Sequence, residues 1–98
     1  MAVTRTESGW VLTAAADAVT HPSGRRIVID RIFVNKFGGN GEVTFKDGAG
    51  TNILTTGTLV GGTTVAFPMG AAEVTSLEMD AISAGSATAY VIGRVAGR

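Results

Sequence analysis

Asp17, His21 and Ser23 supply an acid, a base and a nucleophile close together in sequence. A serine nucleophile must be held where its hydroxyl meets the base, usually on a sharp elbow. No Gly-x-Ser-x-Gly pattern surrounds Ser23, which lies in a Pro22–Gly24 turn, so the trio reads as a surface loop carrying a histidine. Glu78 and Asp80 are a carboxylate pair of the kind used in glycoside hydrolysis. They also occupy alternate outward positions of one strand, which is where solvated acidic residues ordinarily sit.

Asp47-Gly48-Ala49-Gly50-Thr51-Asn52 has the outline of a calcium loop but offers one carboxylate, whereas calcium takes about six to eight oxygen ligands. His21 is the sole histidine and there is no cysteine. A zinc site built on several such ligands is therefore excluded within one chain. Gly38-Gly39-Asn40-Gly41 and Gly61-Gly62-Thr63-Thr64 lack the Gly-Lys-Ser/Thr ending and following helix of a phosphate loop, and both read as turns. Trp10 and Tyr90 are the candidates for an aromatic sugar platform, although Trp10 stands beside Val11 and Leu12 as a core residue would. The expectation is a protein that is not an enzyme and has no catalytic site, metal or cofactor.

Composition points the same way. The 98 residues fit one domain, and eight Lys and Arg balance eight Asp and Glu. A neutral chain lacks the positive field that drives non-specific binding to nucleic acid or an anionic membrane, so neither is an expected partner. Met1 to Glu7 lacks the apolar core of a signal peptide, and no stretch approaches the roughly 18 apolar residues of a spanning helix. This predicts a soluble protein made in the cytoplasm. Charged residues are 16% of the chain, below the roughly 25% usual for globular domains. A bland Ala, Gly, Thr and Val surface suits a subunit of an assembly.

The elements that must position these residues are strands. Gly9 to Thr13, Arg26 to Phe37, Glu42 to Asp47, Asn52 to Val60, Thr63 to Phe67, Thr75 to Ile82 and Ala87 to Val95 are rich in β-branched or alternating residues and are divided by Gly-rich turns. Ala14 to Val19 is too short for a stable helix and reads as loop or strand continuation. Pro68 suits a strand end or edge. The pattern predicts an all-β, single-domain antiparallel β-sandwich, jelly-roll-like, of about seven to eight strands over residues 9–98, with residues 1–8 as a flexible arm. Val43, Phe45, Val65, Phe67, Leu77, Met79 and Val91 should point inward.

Two strands are apolar on both sides. One face of Arg26 to Phe37 carries Val28, Ile32 and Val34, the other Ile27, Ile29, Phe33 and Phe37. In Ala87 to Val95, Ala87, Ala89, Val91 and Val95 oppose Tyr90 and Ile92. Either a bulge near Asp30-Arg31 switches faces along the first strand, or the second face is covered by another subunit. The second reading makes Ile29, Phe33, Tyr90 and Ile92 a candidate subunit interface.

The run Ile29 to Asn35 with its Ile-Phe-Val-Asn ending, the hairpin Val43-Thr44-Phe45-Lys46-Asp47-Gly48 and the closing Ala87-Thr88-Ala89-Tyr90-Val91-Ile92-Gly93 together resemble the decoration (cement) and related accessory proteins of tailed-bacteriophage capsids. The resemblance spans residues 26–95 and is one of strand rhythm. It implies a jelly-roll-like sandwich, a homo-oligomer with a trimer favoured, a virion location and the major capsid protein as partner. The protein would sit on the outer shell and stabilise it. Val3, Arg5 and Glu7 would then belong to a capsid-contact arm, together with one Gly-rich end of the sandwich. Capture by a neutral protein should rest on shape-matched contact and survive high salt. The alternatives are a tail, neck or head-fibre component, or a small glycan-binding sandwich.

Overall fold

A computed structural model describes residues 3–5, 9–20, 26–48 and 50–95. Among them nine strands follow in order: β1 Val3–Arg5, β2 Gly9–Leu12, β3 Ala18–Thr20, β4 Ile27–Phe37, β5 Gly41–Asp47, β6 Asn52–Leu59, β7 Thr63–Val74, β8 Ser76–Ile82 and β9 Ser86–Val95. They form two sheets, β1-β2-β9-β4-β7 and β3-β8-β5-β6. Every pairing is antiparallel.

The topology is that of a rolled hairpin. β2 pairs with β9, β3 with β8, β4 with β7 and β5 with β6, so the two halves of the chain run against each other from a tip at the β5–β6 turn. Rolling that ribbon adds the β4·β9 and β5·β8 pairings. Eight strands arranged this way are a jelly roll, and β1 adds an edge strand to its five-stranded side. The expected all-β sandwich is thus the observed one. Val3–Arg5, the described part of the expected arm, pairs with the chain's own β2, while Glu7 lies outside the described residues.

The core lies between the sheets. Trp10, Leu12, Ile27, Ile29, Ile32, Val34, Ala87, Ala89 and Val91 project into it from the five-stranded side, and Val43, Phe45, Leu77 and Met79 from the other. Val43, Phe45, Leu77, Met79 and Val91 are inward as their alternation predicts. Phe67 packs partly against the core. Val65 does not follow: it is 36% exposed, because β7 is an edge strand and its inward-facing side chain overhangs the rim. β7 also runs on through Pro68 to Val74 instead of ending there. An edge strand tolerates a proline because one side of its backbone needs no partner.

The choice left open by β4 is decided in part by a bulge. Register shifts between Ile29 and Arg31 in both of its pairings. Before the shift Ile27 and Ile29 face inward, and after it Ile32, Val34 and Lys36 do. Ile29 is fully buried within the monomer, so it leaves the candidate interface. Phe33 and Phe37 remain on the outer side.

Candidate interaction face

Alternation along β2, β9, β4 and β7 places one row across the outside of the five-stranded sheet. Val11 pairs with Tyr90, Tyr90 with Phe33 and Phe33 with Ala66. Directly opposite residues lie about 4.5–5.5 Å apart on a sheet, so the four side chains form a continuous apolar band. Tyr90 is 44% exposed and Ala66 is exposed, whereas Phe33 and Val11 are half-buried by their neighbours. Ile92, half-buried, stands on the next row with Arg31 and Gly9 as register partners. Three of the four residues assigned to a subunit interface are therefore gathered on this face, and Ile29 is not.

The band is flanked by polar groups on both sides. Toward the β4–β5 turn, Asn35 Nδ2 donates to Thr64 Oγ1 at 2.8 Å. Toward the bulge, Arg94 and Asp30 form an exposed ion pair of 3.4 Å.

A second apolar exposure lies at the end of the sandwich where the β4–β5, β6–β7 and β8–β9 turns meet. Phe37 is 43% and Val60 is 58% exposed there. The turns are tied together by Gly62 N donating to Lys36 O at 2.7 Å and Gly61 N donating to Asn40 Oδ1 at 2.9 Å. Beneath them Lys36 is fully buried. Its Nζ donates to Gly39 O at 2.7 Å and to Phe37 O at 3.3 Å. The buried ammonium thus has its own donors satisfied by turn carbonyls. Gly85 has to be a glycine: its φ is +72°, and a Cβ would meet Lys36 Nζ and the Phe37 carbonyl. Sequence reasoning missed Lys36. The available signal was its parity with Ile32 and Val34, next to a glycine-rich turn whose carbonyls an ammonium can reach.

The residues considered for chemistry are placed differently. Asp17 is buried, and its Oδ2 accepts from Thr13 N at 3.0 Å and Ala14 N at 3.1 Å. That carboxylate builds the β2–β3 turn. His21 and Ser23 lie outside the described residues. Asp47 Oδ1 accepts from Thr51 N at 3.0 Å, closing the β5–β6 turn. Asp80 pairs with Lys46 at 3.3 Å on the outer side of the four-stranded sheet. Trp10 belongs to the core. Among the described residues no group of three or more His, Cys, Asp or Glu is placed to hold a metal ion. Compared with known proteins, the chain matches no family model, no curated protein and no solved structure.

Proposed function

We propose that this protein is a bacteriophage virion accessory protein, a decoration protein that binds the outer capsid surface and stabilises the shell as a homo-oligomer, with a trimer favoured. The observation that carries this reading is the apolar band Val11–Tyr90–Phe33–Ala66 on the outside of a neutral jelly roll. Isolated jelly-roll strands need apolar residues on one side only, and a band on the other side is covered by a subunit or partner. Jelly rolls occur in viral capsid proteins and also in lectins and cupins, so the fold alone does not choose among them. The strand rhythm of residues 26–95 is what favours the virion reading.

In this reading Phe33, Tyr90 and Ile92 join subunits, and the β1 region with Val3, Arg5 and Glu7 contacts the major capsid protein. The test is occupancy on purified capsids that lack the protein. Full-length chain binds and loses little on adding half-molar salt, and a chain lacking residues 1–8 stays folded but binds much less. Absence of binding to any capsid, tail or neck surface of the parent particle sinks the proposal.

One observation favours a glycan-binding reading as the second choice. Tyr90 stands exposed beside Phe33 on the outer sheet face, with Asn35, Thr64 and Thr88 near it as hydrogen-bonding groups. Aromatic faces flanked by such groups take sugar rings. Titration with oligosaccharides followed by Tyr90→Ala separates the two, because only the glycan reading predicts saturable sugar binding that the substitution abolishes.

A further inference from the structure

A sheet edge is a row of unpaired backbone donors and acceptors, and proteins guard such rows with short strands, bulges, charges or proline. Among the described residues the two sheets have four edges, formed by β1, β7, β3 and β6. β1 and β3 are three residues long. β6 is kinked: its register against β5 shifts twice, Gly57 has a φ of +72°, and Val43 N donates to the Thr56 hydroxyl at 3.0 Å. The far part of β7 is guarded by Pro68, by consecutive left-handed residues Gly70 and Ala71, and by Glu73.

The near part of β7 has none of these devices. Thr63 to Phe67 runs in unbroken register with Lys36 to Ile32 of β4. Thr63, Thr64, Val65 and Ala66 are all exposed, no residue from Thr63 to Phe67 is charged, and Thr, Val and Phe favour the extended state. At about 3.3 Å per residue this is roughly 17 Å of open edge.

We propose that this edge pairs with the same edge of a second copy, antiparallel about a two-fold axis at Val65, joining two five-stranded sheets into one. The inference stands on the edge alone and does not depend on the virion reading. Antiparallel pairing sets Val65 opposite Val65 of the partner subunit, Thr64 opposite Ala66 of the partner subunit and Thr63 opposite Phe67 of the partner subunit. A residue on a two-fold axis meets its own copy, so a charge there would repel itself. The uncharged stretch removes that obstacle, and a chain of zero net charge adds no general repulsion. The exposed Val65 side chain is covered by its own copy. Pro68, with no N–H, falls at the limit of the paired segment, where a ladder bond is no longer required.

The chain has no cysteine, so introduced thiols report the contact cleanly. Opposite residues of an antiparallel pair have Cα atoms about 4.5–5.5 Å apart, within the range a disulfide spans. Oxidised Val65→Cys should therefore form a covalent dimer. Thr64→Cys and Ala66→Cys should cross-link when mixed, and each should cross-link far less alone. In sedimentation, Val65→Lys should halve the mass of the assembly and weaken association at least tenfold, with the far-UV β signature and low-concentration melting temperature retained. If the outer-face contact also operates, Val65→Lys leaves that smaller oligomer intact, and Tyr90→Lys leaves the edge dimer intact, so the two contacts fail separately. The proposal is overturned if wild-type chain stays at the 10.0 kDa monomer mass at about 100 µM, where a contact of about 10 µM Kd is mostly formed. It is equally overturned if Val65→Lys leaves the mass unchanged, or if Val65→Cys cross-links no better than Thr64→Cys alone. Should Val65→Lys fail to fold, the cross-linking pattern decides.

Discussion

The two outer faces of this sandwich enclose one core and differ in what they offer water. On the four-stranded side, Glu42, Thr44 and Lys46 of β5 stand beside Glu78 and Asp80 of β8, with Lys46 and Asp80 paired at 3.3 Å. On the five-stranded side the corresponding positions hold Val11, Tyr90, Phe33 and Ala66. Strand geometry is the same on both, because successive residues simply alternate between faces. A polar outer set is satisfied by solvent, whereas an apolar outer set gains free energy only when something covers it. The difference is what the proposed interaction surface on the five-stranded side rests on, without any appeal to a pocket or a catalytic group.

The largest expected effect tests whether the band is an outer surface at all. Phe45 is fully buried under the four-stranded sheet, and Phe45→Ala should cost about 3–5 kcal/mol by denaturant unfolding. Phe33→Ala, measured in dilute monomer, should cost less than about 1.5 kcal/mol, since only part of its apolar area is removed from water there. Equal losses would place Phe33 in the fold and break the contrast between the faces.

Next in size is the turn end that borders the band. Lys36→Met keeps the aliphatic stem but leaves the Gly39 and Phe37 carbonyls without their donor, which should cost about 1–3 kcal/mol. A neutral result would mean that solvent reaches those carbonyls and that the β4–β5 turn is not held by the ammonium. Of comparable or smaller size is the effect of a charge within the band. Tyr90→Lys should weaken self-association or capsid occupancy at least tenfold, about 1.4 kcal/mol, while Glu78→Lys on the opposite face should leave both unchanged. Loss of binding from Glu78→Lys and not from Tyr90→Lys would transfer the interface to the four-stranded side.

Much of this arrangement was legible in the residues. The strict alternation of Val43 and Phe45, and of Leu77 and Met79, assigned the inner faces of β5 and β8 because period two has only two solutions. Tyr90 and Ile92 opposed Ala89 and Val91 for the same reason. The errors arose where the period is interrupted or where position in the sheet matters. Ile29 was assigned outward because the bulge at Asp30 shifts every later residue of β4, and a bulge leaves little trace in composition. Lys36 has the parity of Ile32 and Val34 without any shift, but a lysine at a strand end reads as a solvated residue. Val65 has inward parity, yet alternation cannot say that β7 is an edge strand whose rim side chains stay exposed. β3 was unreadable because three residues, Ala18–Thr20, are too few to show a period.

The smallest expected effect asks whether charge or apolar area distinguishes the faces. Asp80→Asn removes the Lys46–Asp80 pair, whose side chains are about one-third exposed. Partly solvated pairs of this kind contribute roughly 0.2–1 kcal/mol. Asp30→Asn removes the Asp30–Arg94 pair at the rim of the band, which is longer at 3.4 Å and more exposed, and it should cost less. Both losses should shrink in molar salt, where screening acts over about 3 Å. Denaturant unfolding of the two variants at low and high salt measures this directly. Small, salt-sensitive losses on both faces would mean that ion pairs decorate each side equally and that Tyr90 and Phe33 make the difference. A loss above about 2 kcal/mol for Asp80→Asn, persisting in molar salt, would instead identify the Lys46–Asp80 pair as effectively desolvated. The four-stranded face would then be covered in solution by something other than water, and the assignment of the interaction surface would have to move there.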